Sequence, residues 1–266
     1  MPHHTMKTLL CLTAAGLLAN HAGASALFSE NAGNSYYDSG WSFGSSQPGN
    51  FGWFTSTSVT SPGYAGRFTG SSTGLGGPGA DINTAGRSWG MYGGSGGTGN
   101  GESDAYGFLK DGAGNDQALS AGQTLSIDIA VNWRNGYKGF AVRNAGGTEL
   151  FTLNIGSDDY VVYNAATGNG SIGNAWSDNT AFHIAVTQTS VGSGTWAITR
   201  TGGVSDYDTG TYTGDVANFK LYVGQTDAGS ANDFFANSIA VTMVPEPGTA
   251  ALLGLGALAM LWRRRG

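Results

Sequence analysis

Residues 125–133, Leu-Ser-Ile-Asp-Ile-Ala-Val-Asn-Trp, decide the fold class of this chain. Apolar side chains alternate here with small or polar ones, which is the pattern of a β-strand that buries one face. Asn135-Gly136 follows, and this dipeptide predicts a tight hairpin because both central residues of a type I′ turn need positive φ. Phe140 and Val142 then lie on the predicted return strand. The stretch therefore predicts antiparallel β-structure.

The same two-residue period continues on both sides of this stretch. Toward the C-terminus it predicts strands around residues 151–155, 160–163, 182–186, 196–198, 219–223 and 235–243. The first two of these would extend the hairpin into a four-stranded meander, and the last would run through every second residue from Phe235 to Met243. In the N-terminal third it predicts strands at residues 54–60, 64–69, 87–92 and 105–110, with glycine-rich loops at 74–79 and 93–101.

This arrangement of many short strands, close turns and no long amphipathic helix predicts an all-β fold. The predicted architecture is a two-sheet antiparallel sandwich of the jelly-roll type. The run from Leu125 to Thr242 resembles the laminin-G and concanavalin-type jelly rolls, and residues 232–241 are similar to the last strand of such domains. The resemblance implies a lectin-like architecture, and it transfers no binding residue.

Residues 244–266 have the parts of a sorting signal in order. Val244-Pro245-Glu246-Pro247 is followed by an uncharged run, Thr249–Trp262, and then by Arg263, Arg264 and Arg265. The prolines force extended backbone, and the Leu- and Ala-rich run favours a helix. The arginines would stop it in the membrane, since they can extend to a cytoplasmic surface. The sequence predicts a short C-terminal transmembrane helix, and the alternative is a last core helix with a charged end.

This tail resembles the PEP-CTERM sorting signal of Gram-negative bacteria. The Pro-Glu-Pro motif, the Leu/Ala/Gly-rich helix and the closing arginines carry the resemblance. It implies export, a transient stay in the inner membrane and cleavage near the Pro-Glu-Pro by an exosortase. It also implies delivery of the mature form to the cell surface or the extracellular matrix.

The N-terminus predicts a signal peptide that forms an N-terminal signal helix. Lys7 precedes an apolar stretch, Leu9–Leu18, and Ala24-Ser25-Ala26 has the small-x-small form that a signal peptidase cleaves. Cleavage after Ala26 divides the chain into a signal peptide of residues 1–26, a β-sandwich domain of residues 27–243 and a sorting signal of residues 244–266. Cys11, the one cysteine of the chain, would leave with the signal peptide.

The charge of the predicted mature chain excludes one class of partner. Residues 27–244 hold 17 acidic and 8 basic side chains, a net charge of −9, with no cluster of Lys or Arg. Nucleic-acid binding therefore lacks its electrostatic basis, and a polyanionic ligand is disfavoured over most of the surface.

No catalytic constellation is recognisable, so the sequence predicts that the protein is not an enzyme. His183 is the single histidine after the signal peptide, it is predicted to face the polar side of its strand, and no Gly-x-Ser-x-Gly motif occurs. The glutamates of the domain are not clustered as the carboxylates of a glycosidase would be. They are Glu30, Glu102 and Glu149. Two acidic pairs are predicted at turns: Asp206 with Asp208, and Asp158 with Asp159.

Calcium is the one cofactor for which the sequence holds candidate ligands. Asp111, Asn115 and Asp116 lie in a glycine-containing loop whose oxygens suit this ion. Glu102 with Asp104, and Asp158 with Asp159, are further candidates. None has the spacing of an EF-hand, and the alternative is that all are ordinary turn carboxylates.

Aromatic side chains are the remaining candidates for a binding site. Rings that stack on the apolar faces of sugars, with polar groups nearby for the hydroxyls, are typical of carbohydrate sites. The candidates are Trp133, Arg134, Tyr137 and Trp176, near the predicted hairpin and in a polar loop. The aromatic residues of the N-terminal third are predicted to fill the core, with an exposed stacking ring as the alternative.

The sequence thus predicts an exported surface or matrix protein with a non-catalytic, structural or adhesive role in exopolysaccharide or biofilm. One alternative is a calcium-assisted carbohydrate-binding module, and another is a divergent polysaccharide-cleaving enzyme. The expected partners are signal peptidase, exosortase, the inner membrane during export and extracellular polysaccharide.

Overall fold

The computed structural model describes residues 25–42, 51–75, 81–156, 160–164, 168–172, 179–202 and 205–243. Within them the chain forms two antiparallel sheets and no α-helix. The strands are β1 Ser25–Glu30, β2 Phe51–Thr60, β3 Tyr64–Gly70, β4 Ser88–Gly94, β5 Asn100–Leu109, β6 Gln123–Val131, β7 Tyr137–Arg143, β8 Glu149–Asn154, β9 Val161–Asn164, β10 Gly168–Ser171, β11 Thr180–Ser190, β12 Ser193–Thr201, β13 Asp206–Thr213, β14 Asn218–Gly224 and β15 Phe234–Met243.

The two sheets confirm the predicted all-β antiparallel sandwich. The eight-stranded sheet has the order β13-β12-β11-β6-β15-β4-β3, and β1 also pairs with β15. The seven-stranded sheet has the order β10-β9-β8-β7-β14-β5-β2. The predicted signal helix and the predicted C-terminal helix fall outside the described residues. Among the helices that the structure describes, none has the length and apolar character needed to span a bilayer.

The predicted hairpin at Asn135-Gly136 is wrong. β6 pairs with β11 and β15, whereas β7 pairs with β14 and β8 in the other sheet. Of the two turn residues, Gly136 alone has positive φ, at 72°, so the turn is not of type I′. The connection carries the chain from one sheet to the other. The meander that was predicted to include β6 begins only at β7 and continues through β8, β9 and β10.

The prediction that Asp206 and Asp208 lie at turns is also wrong, because both belong to β13. This strand pairs with β12 along its whole length, from Arg200↔Asp206 to Ser193↔Thr213. It is an edge strand that buries only the side chain of Tyr212, so its sequence lacks an apolar alternation.

A β-bulge changes the predicted face of the last strand. The register of β15 against β6 shifts between Asn237 and Ala240, and Ser238 has φ of 56°. The core face is therefore Phe234 and Ala236 before the bulge, and Ile239 and Val241 after it.

The predicted loop at residues 93–101 is shorter than expected, because strands extend into both of its ends. A Cβ atom at Gly101 would collide with the backbone oxygens of Tyr64 and Gly94, so glycine allows the strands to approach closely at this corner.

An aromatic cluster fills the core beneath β2 and β4, where the N-terminal aromatic residues were predicted to pack. Trp89 is fully buried, and its ring centroid lies 5.2 Å from those of Tyr37 and Trp53 and 6.1 Å from that of Trp41. The indole nitrogen of Trp53 donates a hydrogen bond of 3.0 Å to the Tyr37 hydroxyl. Edge-to-face packing of this kind stabilises a core beyond the area that it buries.

A buried glutamine joins β11 to the end of β13 and to the connection between β13 and β14. Gln188 Nε2 lies 2.8 Å from the carbonyl oxygen of Ser190, and 3.0 Å from both that of Gly214 and the Asp215 carboxylate. Its Oε1 accepts hydrogen bonds of 3.1 Å from the Tyr212 hydroxyl and the Val216 backbone N–H. The buried Val216 N–H and the buried amide of Gln188 itself thereby have hydrogen-bond partners.

Candidate functional site

The outer face of the eight-stranded sheet carries mainly small, uncharged side chains on β6, β11 and β12. Its aromatic side chains Tyr64, Phe68, Tyr92 and Phe235 lie together toward the β3–β4 edge. The strand registers place five threonines in one row across β15, β6, β11, β12 and β13. They are Thr242, Thr124, Thr187, Thr195 and Thr211. On this face His183 Nδ1 lies 2.7 Å from Asp128 Oδ1. His183 faces outward from its strand, as predicted.

The outer face of the seven-stranded sheet has a different chemistry. On β5 every second side chain points outward, and the registers place Tyr106 opposite Lys220 and Asp104 opposite Tyr222. We call the aromatic and polar residues that share this surface the tyrosine face. They are Phe54, Glu102, Asp104, Tyr106, Tyr137, Arg143, Asn154, Tyr163, Lys220 and Tyr222.

Lys220 lies at the centre of an ion network on the tyrosine face. Its Nζ is 3.1 Å from Asp104 Oδ1 and 3.9 Å from Glu102 Oε1, and the Tyr106 hydroxyl donates a 3.2 Å hydrogen bond to Asp104 Oδ2. Burial raises the pKa of Asp104, against the opposing effect of Lys220. Burial lowers the pKa of Lys220, but Asp104, Tyr106 and Glu102 together outweigh it and leave that pKa raised. The network therefore fixes both carboxylates in place.

The aromatic rings of the tyrosine face lie close to cations and to one another. The Phe54 and Tyr106 centroids are 5.8 Å apart, and the guanidinium of Arg143 lies 5.1 Å from the Tyr106 ring. The Tyr222 hydroxyl donates a 3.1 Å hydrogen bond to Asn154 Oδ1. Burial raises the pKa of Tyr222, so its phenol stays neutral and keeps its proton for donation. The face thus offers ring surfaces beside donors and acceptors, the combination that binds sugars.

The structure separates the residues that the sequence predicted for carbohydrate binding. Tyr137 belongs to the tyrosine face, where its ring centroid lies 6.3 Å from that of Tyr222. Trp133, which is 46% exposed, and the partly buried Arg134 lie at the end of the sandwich between β6 and β7. Trp176 lies outside the described residues. Carbohydrate binding by these four residues stays a prediction.

The predictions from the sequence did not include most of the tyrosine face. A signal for it exists in the alternation Glu102-x-Asp104-x-Tyr106, which places three functional side chains on one side of a strand. The partners Lys220 and Tyr222 are more than a hundred residues away, so only the pairing of β5 with β14 brings them together.

A buried lysine joins two loops at the end of the sandwich near Trp133. Lys138 Nζ donates hydrogen bonds of 2.6 Å to the Trp133 carbonyl oxygen and 2.8 Å to that of Asn232. Burial lowers its pKa to about 7, against the opposing effect of Asp233. Burial also raises the pKa of Asp233 to about 6. A neutral amine has two N–H donors, which match the two carbonyl acceptors.

This lysine makes the stability of the protein depend on pH. The folded pKa of Lys138 is about 7 against an ordinary value of 10.5, so above pH 7 the unfolded chain binds more protons than the folded one. We expect the free energy of unfolding to rise by about 2 kcal/mol between pH 7 and pH 9, because each proton contributes about 1.4 kcal/mol per pH unit. Urea titrations of the wild type and of Lys138→Met at both pH values check this. The free energy of unfolding of the variant should not rise between these pH values. An equal rise in both proteins would contradict the lowered pKa of Lys138.

In the predicted calcium loop, protein groups already engage the candidate ligands. Asp111 Oδ1 accepts 2.9 Å hydrogen bonds from the backbone N–H groups of Ala113 and Asn115, and Lys110 Nζ lies 2.8 Å from Asp116 Oδ1. Within the described part of the chain, no group of three or more His, Cys, Asp or Glu residues could hold a metal ion. Asp158 and Asp159 lie outside that part, and calcium binding stays a prediction.

Sequence comparison identifies the tail. The model of the PEP-CTERM protein-sorting motif matches residues 244–265, which confirms the predicted sorting signal. A chain with this motif is exported in a Gram-negative bacterium and processed at the membrane by an exosortase. No curated protein matches the sequence.

Structure comparison finds weak similarity to solved carbohydrate-related proteins. The carbohydrate esterase vb_24B_21 of the Shiga toxin-encoding bacteriophage phi24B is 18% identical, with 84% of this chain and 100% of that chain covered and a TM-score of 0.47. A tetrameric galectin from the ball sponge Cinachyrella sp. is 14% identical, with 48% and 95% covered and a TM-score of 0.33. An alginate lyase from Corynebacterium sp. is 13% identical, with 52% and 67% covered and a TM-score of 0.34.

Proposed function

We propose that this exported protein binds polysaccharide of the extracellular layer through its tyrosine face and has an adhesive role there. The observation that carries the proposal is the contrast between the two outer faces. The face of the eight-stranded sheet is mostly threonine, serine and alanine and has most of its rings on and beside β3 and β4. The tyrosine face instead places Phe54, Tyr106 and Tyr222 beside the charged or polar groups of Asp104, Lys220 and Asn154. Aromatic rings supply apolar stacking area, and the fixed polar groups match sugar hydroxyls.

The charge of the protein favours a neutral polymer as ligand. The predicted mature chain carries 17 acidic and 8 basic side chains, so a polyanion meets repulsion over most of the surface. On the tyrosine face itself, the cations Lys220 and Arg143 are matched by the carboxylates Glu102 and Asp104, so the face has no excess of positive charge to attract a polyanion. A neutral polysaccharide therefore fits this face better than an acidic one.

We expect Tyr106→Ala to weaken binding to the host's neutral exopolysaccharide by at least about fivefold. A stacked ring contributes roughly 1–3 kcal/mol to such a contact, by analogy with other aromatic platforms. Affinity electrophoresis or calorimetry with the purified polymer measures the effect. The matched control is Tyr207→Ala, because Tyr207 is 62% exposed on β13 of the other sheet. Equal binding by wild type and Tyr106→Ala would sink the proposal.

The same binding assay distinguishes this proposal from the calcium-assisted alternative. If the tyrosine face alone binds the sugar, chelator leaves the affinity unchanged. Binding that chelator abolishes and that Tyr106→Ala leaves intact would favour the metal-dependent module instead.

Binding without cleavage is part of the proposal. Two outward carboxylates, Glu102 and Asp104, are the observation that favours an enzyme, because glycosidases use such a pair. Both lie within 3.9 Å of Lys220 Nζ, and Tyr106 also holds Asp104, which supports a positioning role for them. Release of reducing ends from the bound polymer by the wild type, and its loss in Asp104→Asn, would establish the enzymatic alternative.

A further inference from the structure

Three aromatic side chains form a row on the hairpin of β3 and β4, on the outer face of the eight-stranded sheet. The register places each of them opposite a glycine of the other strand: Tyr64 opposite Gly94, Tyr92 opposite Gly66 and Phe68 opposite Gly90. The ring centroids of Tyr64 and Tyr92 are 6.2 Å apart, and those of Tyr92 and Phe68 are 6.3 Å apart. We call this row of three rings the aromatic strip.

The opposing glycines let the rings lie against the sheet instead of standing up from it. A Cβ atom at Gly66 would collide with the tip of the Tyr92 side chain, and one at Gly90 would collide with the Phe68 ring. Each ring thus occupies the space that a side chain on the facing strand would fill. All three rings are half-buried, with one side on the backbone and the other open to solvent.

The strip is rigid at the end formed by Phe68. This ring meets the buried Phe235 edge to face, with centroids 5.6 Å apart, and Ile82 packs against the same cluster. The Asn237 amide donates a 2.7 Å hydrogen bond to the Ile82 carbonyl oxygen, which fixes this segment on β15. Rings that are already held in place lose little conformational freedom when a ligand stacks on them.

Polar groups lie at both ends of the strip. Just after β3, Asn83 Nδ2 donates a 3.0 Å hydrogen bond to the hydroxyl of the exposed Ser71. At the opposite end, the Tyr64 hydroxyl lies 3.5 Å from the carbonyl oxygen of Asp227, and Asn135 Nδ2 donates a 2.7 Å hydrogen bond to Asp227 Oδ2. An apolar strip that ends in hydroxyl, amide and carboxylate groups suits a ligand with apolar ring faces and peripheral hydroxyls.

We propose that the aromatic strip is a second binding site for a neutral polysaccharide, on the opposite side of the sandwich from the tyrosine face. Each ring offers one open face, and the distance between neighbouring rings is close to the size of a sugar ring. Consecutive units of one polymer chain can therefore stack on consecutive rings. The strip is the weaker of the two sites, because its polar groups lie at its ends and not between its rings.

The area of the strip favours a sugar over a protein partner. A fully buried aromatic side chain covers about 150–250 Å², so three half-buried rings expose on the order of 250 Å². A stable protein interface buries about 800 Å² on each partner, and the strip falls well below this. A sugar unit, in contrast, needs only the open face of one ring.

Two sites on opposite sides of the sandwich allow one protein molecule to join two polymer chains. This consequence rests on the proposed function of the tyrosine face, whereas binding at the strip does not. A single stiff chain would have to bend around the domain to reach both outer faces. The protein therefore cross-links separate chains instead of binding one chain twice.

Replacing two rings of the strip in the full-length protein tests the cross-linking. Tyr64→Leu with Tyr92→Leu still covers the glycines but has no flat ring face, and Tyr64→Phe with Tyr92→Phe is the matched control that keeps the rings. We expect the wild type and the phenylalanine control to raise the light scattering of the host's purified neutral exopolysaccharide at least about fivefold. The leucine variant should not raise it, although its affinity for the polymer falls by less than about twofold because the tyrosine face still binds.

Tyr106→Ala separates the strip from the tyrosine face. Its remaining affinity for the polymer should come from the strip and should disappear when the two leucine substitutions are added. Complete loss of binding in Tyr106→Ala alone, which leaves the strip untouched, would overturn the inference and leave the proposed function standing. Full binding by Tyr106→Ala that the leucine substitutions abolish would refute the proposed function and support the strip.

Sedimentation without polymer tests the alternative that a second copy of the chain covers the strip. All variants carry the same tail, so association through the tail is the same in each. We expect the wild type and the leucine variant to have the same oligomeric state. A wild-type dimer that the leucine substitutions convert to a monomer would overturn the inference.

Discussion

Replacing Gln188 with leucine is expected to lower the free energy of unfolding by about 4 kcal/mol, because several buried polar groups lose their partners at once. The leucine side chain has nearly the same volume but neither donates nor accepts hydrogen bonds. The Val216 N–H would lose its acceptor and the Gly214 carbonyl oxygen would lose the Gln188 donor, while the Tyr212 hydroxyl would keep only the Thr187 carbonyl oxygen as acceptor. Urea unfolding followed by tryptophan fluorescence measures the loss.

The matched control for this change is Gln117→Leu. Gln117 is exposed, so the same loss of an amide there should change stability by no more than about 0.5 kcal/mol. Gln188→Glu provides a second comparison, since it keeps an oxygen for Val216 but places a carboxylate beside Asp215. It should be at least as destabilising as the leucine variant at neutral pH. A Gln188→Leu protein as stable as the wild type would show that water or rearranged loops satisfy these groups.

Trp89→Ala is expected to lower the free energy of unfolding by about 4 kcal/mol, which is within the range for replacing a large core ring by alanine and leaving a cavity. Trp89 is fully buried on β4 and contacts Tyr37 and Trp53 in edge-to-face geometry. Because these rings join the two sheets, the surrounding structure has little freedom to collapse into the space. The shift in urea midpoint, followed by circular dichroism, measures the effect.

Trp133→Ala removes the same side chain at an exposed position and is the control for this prediction. Because 46% of Trp133 is exposed, this substitution should lower the free energy of unfolding by less than about 1 kcal/mol. Similar destabilisation by the two substitutions would mean that the end loop near Trp133 contributes as much to stability as the aromatic core.

The strands of this fold could be predicted from the sequence far better than their partners. Alternation along β5, β6 and β11 shows which side chains are buried, since that depends on neighbours two residues apart. Which strand lies next to β6 depends on contacts across the whole chain, and β15 is its partner although β7 follows it. The turn dipeptide Asn135-Gly136 indicated a local pairing that the sandwich does not use.

Two further features could not be predicted from the sequence, and each has a physical reason. β13 has polar side chains and glycine on both faces, because an edge strand with one buried residue needs no apolar alternation. The bulge at Ser238 reverses the inward face of β15 without any change in composition. The tyrosine face was missed for a third reason, since its charges belong to strands that are adjacent in space only.

The neighbouring positions of Ser25 and Met243 give this sandwich a property useful for engineering. A short turn could join the two ends of β1 and β15 and make the backbone continuous. New ends could then be opened at the exposed Val191 in the β11–β12 hairpin, where backbone breaks are best tolerated. The permuted polypeptide would keep every strand and could be inserted into a loop of a carrier protein, with both junctions at the β11–β12 hairpin.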